Sequence, residues 1–291
     1  MTTGVQIDGK TRICGVMGDP VRHSVSPAMH NAAFRTLGLN YAYLPFNVST
    51  AGLAMAVQGI RALDIAGINV TIPHKVAVIP LLDEIEPLAQ RIGAVNVIHN
   101  KVGRLIGGNT DAEGFLRLLR ERGIDAQGLR VAVLGAGGAS RAVCFALAST
   151  AAKITILNRT AGRAAGCAAE MAAHAGRTFE ALEMNPANLA MALARADLVI
   201  NATSIGMAPH VETSPVSCDL LERRHIVVDI VYNPLKTRLM KDAERAGATA
   251  IGGLDMLAWQ GALSFQMWTG REAPLDVMRR AAARAVKSYE E

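Results

Sequence analysis

Residues 130–134 (Arg-Val-Ala-Val-Leu) have the composition of a strand buried on both faces, and they run straight into Gly135-Ala136-Gly137-Gly138-Ala139-Ser140. An apolar helix is expected over 142–148, and a second strand over 153–157. Strand, glycine loop, helix and strand in this order make a dinucleotide-binding half-fold. The glycines permit a tight turn and bring the backbone N–H groups of the helix start towards a pyrophosphate. Ser140 departs from the pattern at the third glycine. No other stretch constrains the fold so much, because it requires a parallel sheet with a crossover helix.

Further strands ending in polar loops extend that sheet. Residues 198–200 run into Asn201-Ala202-Thr203, residues 225–231 into Tyr232-Asn233-Pro234, and residues 248–251 into Gly252-Gly253. Alternating strands and helices predict parallel order, with the strand C-termini facing a ligand. The second strand of the half-fold closes on Asn158-Arg159-Thr160, with Arg163 one turn on. A site for NAD places an acid there, on the ribose 2′-hydroxyl. Two guanidiniums and a hydroxyl suit a 2′-phosphate instead; the alternative is a solvated, arginine-rich helix start.

The N-terminal part reads as a second α/β region, with strands over 12–17, 41–48 and 67–72 and helices over 27–37 and 53–60. Shorter helical pieces follow over 76–82 and 87–92, then a hairpin over 94–107 around Asn100 and Gly103. Pro27 is placed as the first residue of a helix, with Ser26 as its cap. Ser24 and Ser26, two apart, either present two hydroxyls to a carboxylate or serve only to start that helix. Pro73 ends the third strand, and Lys75 follows at its mouth, where α/β proteins place their chemistry. A lysine drawn out of water exchanges a proton near neutral pH; an ordinary surface lysine is the plain alternative. Asp111 reads as the N-cap of a helix over 112–122, or as a carboxylate aimed into a cleft. Two apolar helices, 254–268 and 274–289, follow the nucleotide-type sheet. Because the first region has too few helices to cover its own sheet, they are expected to pack back on it. Gln260 is a polar residue in the first of them.

The chain has 291 residues, half of them apolar, a net charge of +5 and four scattered cysteines. That is room for two domains, expected at 1–111 completed by 253–291, and at 112–252. No apolar run approaches the roughly 18 residues of a bilayer span, and residues 1–10 lack the regions of a signal peptide. The cysteines form no Cys-x-x-Cys pair, which argues against a metal site or a disulfide framework and for a reducing cytoplasm. The basic residues form no run that would follow a nucleic-acid backbone.

Taken together, Ser24-x-Ser26-Pro27, Asn69-Val70-Thr71-Ile72-Pro73-x-Lys75, Gly93-Ala94-Val95-Asn96, Asn109-Thr110-Asp111, the Gly135 loop, Asn158-Arg159-Thr160, Asn201-Ala202-Thr203, Tyr232-Asn233-Pro234 and Gly252-Gly253 with Gln260 resemble the shikimate dehydrogenase family over nearly the whole chain. The resemblance implies a two-domain α/β enzyme with a Rossmann-type NADP domain, reducing 3-dehydroshikimate to shikimate. It implies Lys75 and Asp111 as the catalytic pair. Ser24, Ser26 and Tyr232 would take the substrate carboxylate, and Asn69, Thr71, Asn96, Asp111 and Gln260 the rest of the ring. The implied cofactor set is Gly135, Ala136, Gly137, Gly138, Ala139, Asn158, Arg159, Thr160, Arg163, Thr203, Ile230 and Gly253. A small-molecule substrate and a monomer or homodimer are expected. Two other readings stand beside it: a paralogue acting on quinate or aminoshikimate, and a non-catalytic sensor of shikimate-like ligands.

Overall fold

The structure, a computed structural model, describes residues 7–290, so residues 1–6 of the stretch read for a signal peptide lie outside it. The chain divides into two compact units. One holds the chain up to Gly114 together with Ala258–Tyr289, and the other holds Phe115–Leu257.

The first unit is built from β1 (Arg12–Gly18), α1 (Ser26–Thr36), β2 (Tyr41–Asn47), α2 (Leu53–Ala62), β3 (Gly67–Val70), β4 (Glu84–Ile85), α3 (Pro87–Ile92), β5 (Val97–Lys101) and β6 (Arg104–Gly108). Its sheet runs β2-β1-β3-β5-β6-β4. β1 lies parallel to β2 and β3, β5 is antiparallel to β3 and β6, and β4 is parallel to β6. The hairpin turn is Val102-Gly103, with φ +55° and +83°. Positive φ at both central residues is the turn whose twist matches a two-residue hairpin, and Asn100 Oδ1 accepts from Gly103 N at 2.8 Å.

Three local expectations are corrected. Residues 76–82 form turns and one 3₁₀ turn over Ile79–Leu81 rather than a helix; Pro80 has no N–H to donate and blocks α-continuation. Ser26 is not a side-chain cap: it is the first residue of α1, Val25 holds the cap position, and no side chain caps it. Asp111 is likewise inside its helix rather than at its cap, as described below.

The second unit takes up the chain within α4 (Asp111–Glu121). It continues with β7 (Arg130–Leu134), α5 (Gly138–Leu147), β8 (Lys153–Asn158), α6 (Ala161–Ala175), β9 (Glu180–Glu183), α7 (Pro186–Leu193), β10 (Leu198–Asn201), β11 (Ile226–Asp229), α8 (Arg238–Arg245) and β12 (Thr249–Gly252). All its strand pairs are parallel, in the order β12-β11-β10-β7-β8-β9. Counted from β7 this is the doubly wound dinucleotide order, in which the strand sequence reverses between β7 and β10. The α/β expectation with a parallel sheet is met.

α9 (Leu254–Thr269) starts in the second unit and ends in the first, and α10 (Leu275–Glu290) follows. Trp268 of α9 packs its indole against Gly67 of β3. A Cβ on Gly67 would come within 2.0 Å of the indole nitrogen, which donates to Ile98 O at 3.0 Å. Glycine at 67 is therefore what lets α9 approach the sheet. Among the described residues no helix is long and apolar enough to cross a membrane.

Candidate active site

After β3 the backbone is held at each step to Lys75. Thr71 N donates to Met17 O, His74 N to Thr71 O, and Val78 N to His74 O. The buried His74 ring meets Val48 O at 2.6 Å. Lys75 O accepts from Val95 N at 2.8 Å. The lysine side chain is only 14% exposed, and its Nζ donates to Asp111 Oδ2 at 2.5 Å, where Asp111 is 6% exposed. A pair this dry is tighter and more directional than a surface ion pair.

Asp111 is free to meet the lysine because another residue does its capping. Asn109 Oδ1 accepts from the N–H of Asp111 at 3.0 Å and of Ala112 at 3.4 Å. The second carboxylate oxygen of Asp111 accepts from Asn96 Nδ2 at 2.8 Å. Asn96 Nδ2 also faces Thr110 Oγ1 at 2.9 Å and Gln260 Oε1 at 3.3 Å. The amide is oriented by its other end, because Asn96 Oδ1 accepts from Thr110 N at 2.7 Å. Lys75, Asn96, Asp111 and Gln260, all singled out from sequence, thus form one cluster of mixed donors and acceptors that suits a polyhydroxylated ring.

Behind the cluster lies a layer of which the sequence singles out Asn69 but not Tyr43 or Ser264. Asn69 is buried, and its amide accepts from Tyr43 OH at 2.8 Å and donates to Ser264 Oγ at 2.9 Å. Ser264 Oγ in turn donates to Gln260 O at 3.0 Å, which leaves its lone pairs for Asn69 and for Thr110 Oγ1 at 3.3 Å. The available signal was position: Ser264 stands one turn beyond Gln260 on α9, and Thr110 lies between Asn109 and Asp111. Gly114 allows α4 and α9 to meet, since a Cβ there would be 3.0 Å from Gln260 N.

Ser24, half-buried, and Ser26, buried, lie on the loop that opens α1, where Ser24 Oγ accepts from Ser26 N at 3.3 Å. Thr71 is half-buried beside Gly18, where a Cβ would strike its methyl at 2.3 Å. None of these three hydrogen-bonds directly to the Lys75 cluster. Tyr232 belongs to the second unit, after β11.

In that unit Gly135 has φ +111°, and a Cβ there would come within 3.0 Å of Ala202 O. Only glycine suits both conditions. Gly137 caps α5 and has nothing within 4 Å of where a Cβ would be, so it leaves an open approach to the N–H groups of the helix start. Ser140 Oγ, fully buried, has no hydrogen-bond partner among the described residues. Asn158 Nδ2 donates to Thr160 O at 3.1 Å and shapes the turn after β8, while Arg159, Thr160 and Arg163 are exposed. Thr203 Oγ1 donates to Asn201 Oδ1 at 2.6 Å. Gly253 runs so close to Ile230 that a Cβ would lie 2.2 Å from Ile230 O. A positive-φ glycine, an open helix N-terminus and an exposed arginine pair fit a phosphorylated dinucleotide.

Residues 16–98 match the profile of the shikimate dehydrogenase substrate binding domain, residues 117–234 that of shikimate/quinate 5-dehydrogenase, and residues 253–283 that of the shikimate 5′-dehydrogenase C-terminal domain. Over 284 residues the chain is 49% identical to the shikimate dehydrogenase (NADP(+)) of Methanopyrus kandleri, covering 97% of this chain and 98% of that one. The chain belongs to the shikimate dehydrogenase family. Among solved members of the family, the shikimate 5-dehydrogenase of Thermus thermophilus in complex with NADP(H) and shikimate superposes with a TM-score of 0.84 at 40% identity, over 94% of this chain and 100% of that one. The quinate dehydrogenase of Corynebacterium glutamicum in complex with NAD reaches 0.83 at 31% identity, over 93% and 98%.

Proposed function

We propose that this protein is an NADP-dependent oxidoreductase that interconverts 3-dehydroshikimate and shikimate in aromatic amino acid biosynthesis, with Lys75 and Asp111 as its catalytic pair. The Lys75–Asp111 contact, 2.5 Å long and almost dry, carries the residue assignment. When bound, NADPH supplies a hydride to the substrate carbonyl carbon. Lys75 gives a proton to the oxygen that becomes the hydroxyl, and in the reverse direction takes it back. Asp111 holds Lys75 in line by one carboxylate oxygen, and Asn96 fixes the other. Positioning of this kind supplies much of the rate in a two-substrate reaction.

Asn96, Gln260 and Thr71 hydrogen-bond the ring hydroxyls, and the hydroxyls of Ser24 and Ser26 take the carboxylate. Asn69 we assign to the layer behind the cluster, because its amide is committed to Tyr43 and Ser264. The first unit holds the substrate and the second the cofactor. Gly135 to Ala139 offer backbone N–H groups to the pyrophosphate, Asn158 shapes the next turn, and Arg159, Thr160 and Arg163 face the 2′-phosphate. Thr203, Ile230 and Gly253 line the nicotinamide half. We place the enzyme in the cytoplasm, as a monomer or homodimer.

The similarity to an NAD-bound quinate dehydrogenase keeps a quinate activity with NAD as the second reading. Arginine at 159, where an NAD site has an acid, speaks against it. The deciding measurement is kcat/KM for shikimate and quinate, each with NAD⁺ and NADP⁺, on the parent and on Arg159→Asp. The parent is expected to prefer shikimate and NADP⁺. The variant loses a charge-assisted contact and repels the phosphate, lowering the NADP⁺ preference about tenfold or more. A parent that prefers NAD⁺, or a variant with an unchanged ratio, refutes the assignment of this loop.

A further inference from the structure

β11 ends on Asp229, which is fully buried. Its three donors are all neutral. Asn201 Nδ2 at 2.9 Å and Val231 N at 3.0 Å reach Oδ1, and Thr237 Oγ1 at 2.7 Å reaches Oδ2. Burial pushes the carboxyl up to about 6, against the opposing pull of those hydrogen bonds. A buried carboxylate held by neutral donors is a poor choice for stability alone. What it holds gives a better reason for its presence.

Asn201 stands opposite Asp229 on the neighbouring strand. Because a carboxylate only accepts, it dictates which end of the Asn201 amide faces it. Nδ2 must turn to Asp229, so Oδ1 faces the loop and receives Thr203 N at 3.1 Å and Thr203 Oγ1 at 2.6 Å. The same Nδ2 donates to Ile205 O at 3.1 Å, and Thr203 Oγ1 accepts from Ile205 N at 3.1 Å. Loop 202–205 is therefore folded on one amide whose polarity a carboxylate sets. The loop is fixed to both neighbours as well: Ala202 N donates to Leu134 O at 2.9 Å and Ile230 N to Asn201 O at 3.1 Å.

We propose that Asp229 is a positioning residue for the nicotinamide half of the cofactor. It orients Asn201, Asn201 folds the loop, and the loop presents Thr203 beside Ile230 as the seat of the ring. The proposal rests on the cofactor assignment above and adds to it a residue that touches neither cofactor nor substrate. Asp229→Ala removes the acceptor. Asp229→Asn keeps the shape and an Oδ1 acceptor for Asn201 Nδ2 and Val231 N, with its Nδ2 able to donate to Thr237 Oγ1, so its defect is smaller.

The test compares two ligands on the purified full chain. NADPH carries the nicotinamide; adenosine 2′,5′-bisphosphate carries only the adenine and 2′-phosphate end. Asp229→Ala is expected to weaken NADPH binding and raise the KM for NADP⁺ about ten- to a hundredfold, with bisphosphate affinity and the KM for shikimate unchanged. Asp229→Asn falls between this variant and the parent. If Asp229→Ala does not fold, a selective loss of NADPH affinity in Asp229→Asn decides the matter in the same way. Unchanged NADPH affinity, or equal loss of both ligands, overturns the positioning role while leaving the cofactor assignment standing. A parent that binds neither ligand overturns the cofactor assignment and the proposal with it.

Discussion

At the residue scale the chemistry turns on one ammonium and one carboxylate. Lys75 Nζ donates to Asp111 Oδ2, and the two side chains are 14% and 6% exposed. Such a pair is poor evidence of stability, because desolvation offsets most of the Coulombic gain. It is well suited to holding a proton donor in a fixed direction. Lys75→Ala is expected to lower kcat by about 10² to 10⁴, with the KM for shikimate changed far less, because proton transfer is lost rather than general affinity. The substitution also leaves Asp111 buried without its partner, so the melting temperature is to be measured beside the kinetics. A folded variant with kcat within a few-fold of the parent removes Lys75 from the mechanism.

At the element scale, the first unit depends on how closely α9 lies on β3. Trp268 covers Gly67, and a side chain there would displace an indole that is itself hydrogen-bonded to Ile98 O. Gly67→Ala is expected to destabilise the protein by about 1–3 kcal/mol through overpacking. The affinity for NADP⁺ should not change, since the residues assigned to it lie in the other unit; a denaturant titration and a cofactor titration on the same variant check both. An unaltered unfolding midpoint would show that the helix can shift without cost. Elements with strong apolar runs were legible in the sequence: β7, β8 and β10, the helix after the glycine loop, and α9. β9 and α7 went unread. β9 is an edge strand, half-buried and flanked by Glu180 and Glu183, and α7 is a short alanine-rich helix. Propensity placed Ser26 and Asp111 at helix caps, yet Asn109 caps α4 and releases Asp111 for Lys75. Lys75, Asp111 and Gln260 were legible because a polar residue at the end of an apolar strand or in an apolar helix has to be accounted for, and Asn96 only through the family resemblance. Ser264 and Tyr43 were not, because a serine in a helix is ordinary until the fold brings it to Asn69, 195 residues away.

For the whole molecule, two aspartates in the second unit give opposite responses to acid. Asp197 is held down to about 2, chiefly by its hydrogen bonds from Arg130. With the folded value below the unfolded 3.8, its contribution is present above pH 3.8 and is lost as pH falls through about 2. Asp229 is pushed up to about 6 by burial. With the folded value above the unfolded 3.8, its contribution is complete below pH 3.8 and is lost as pH rises through about 6. Asparagine cannot titrate, so Asp229→Asn removes the second response and leaves the first. The stability difference, parent minus Asp229→Asn, is therefore expected to fall by about 2–3 kcal/mol between pH 4 and pH 7, the scale that linkage gives for a shift of this size. Urea unfolding of both proteins across that range measures it. A difference that stays level would mean that Asp229 titrates in the folded protein as it does in the unfolded chain, and that burial does not govern its carboxyl.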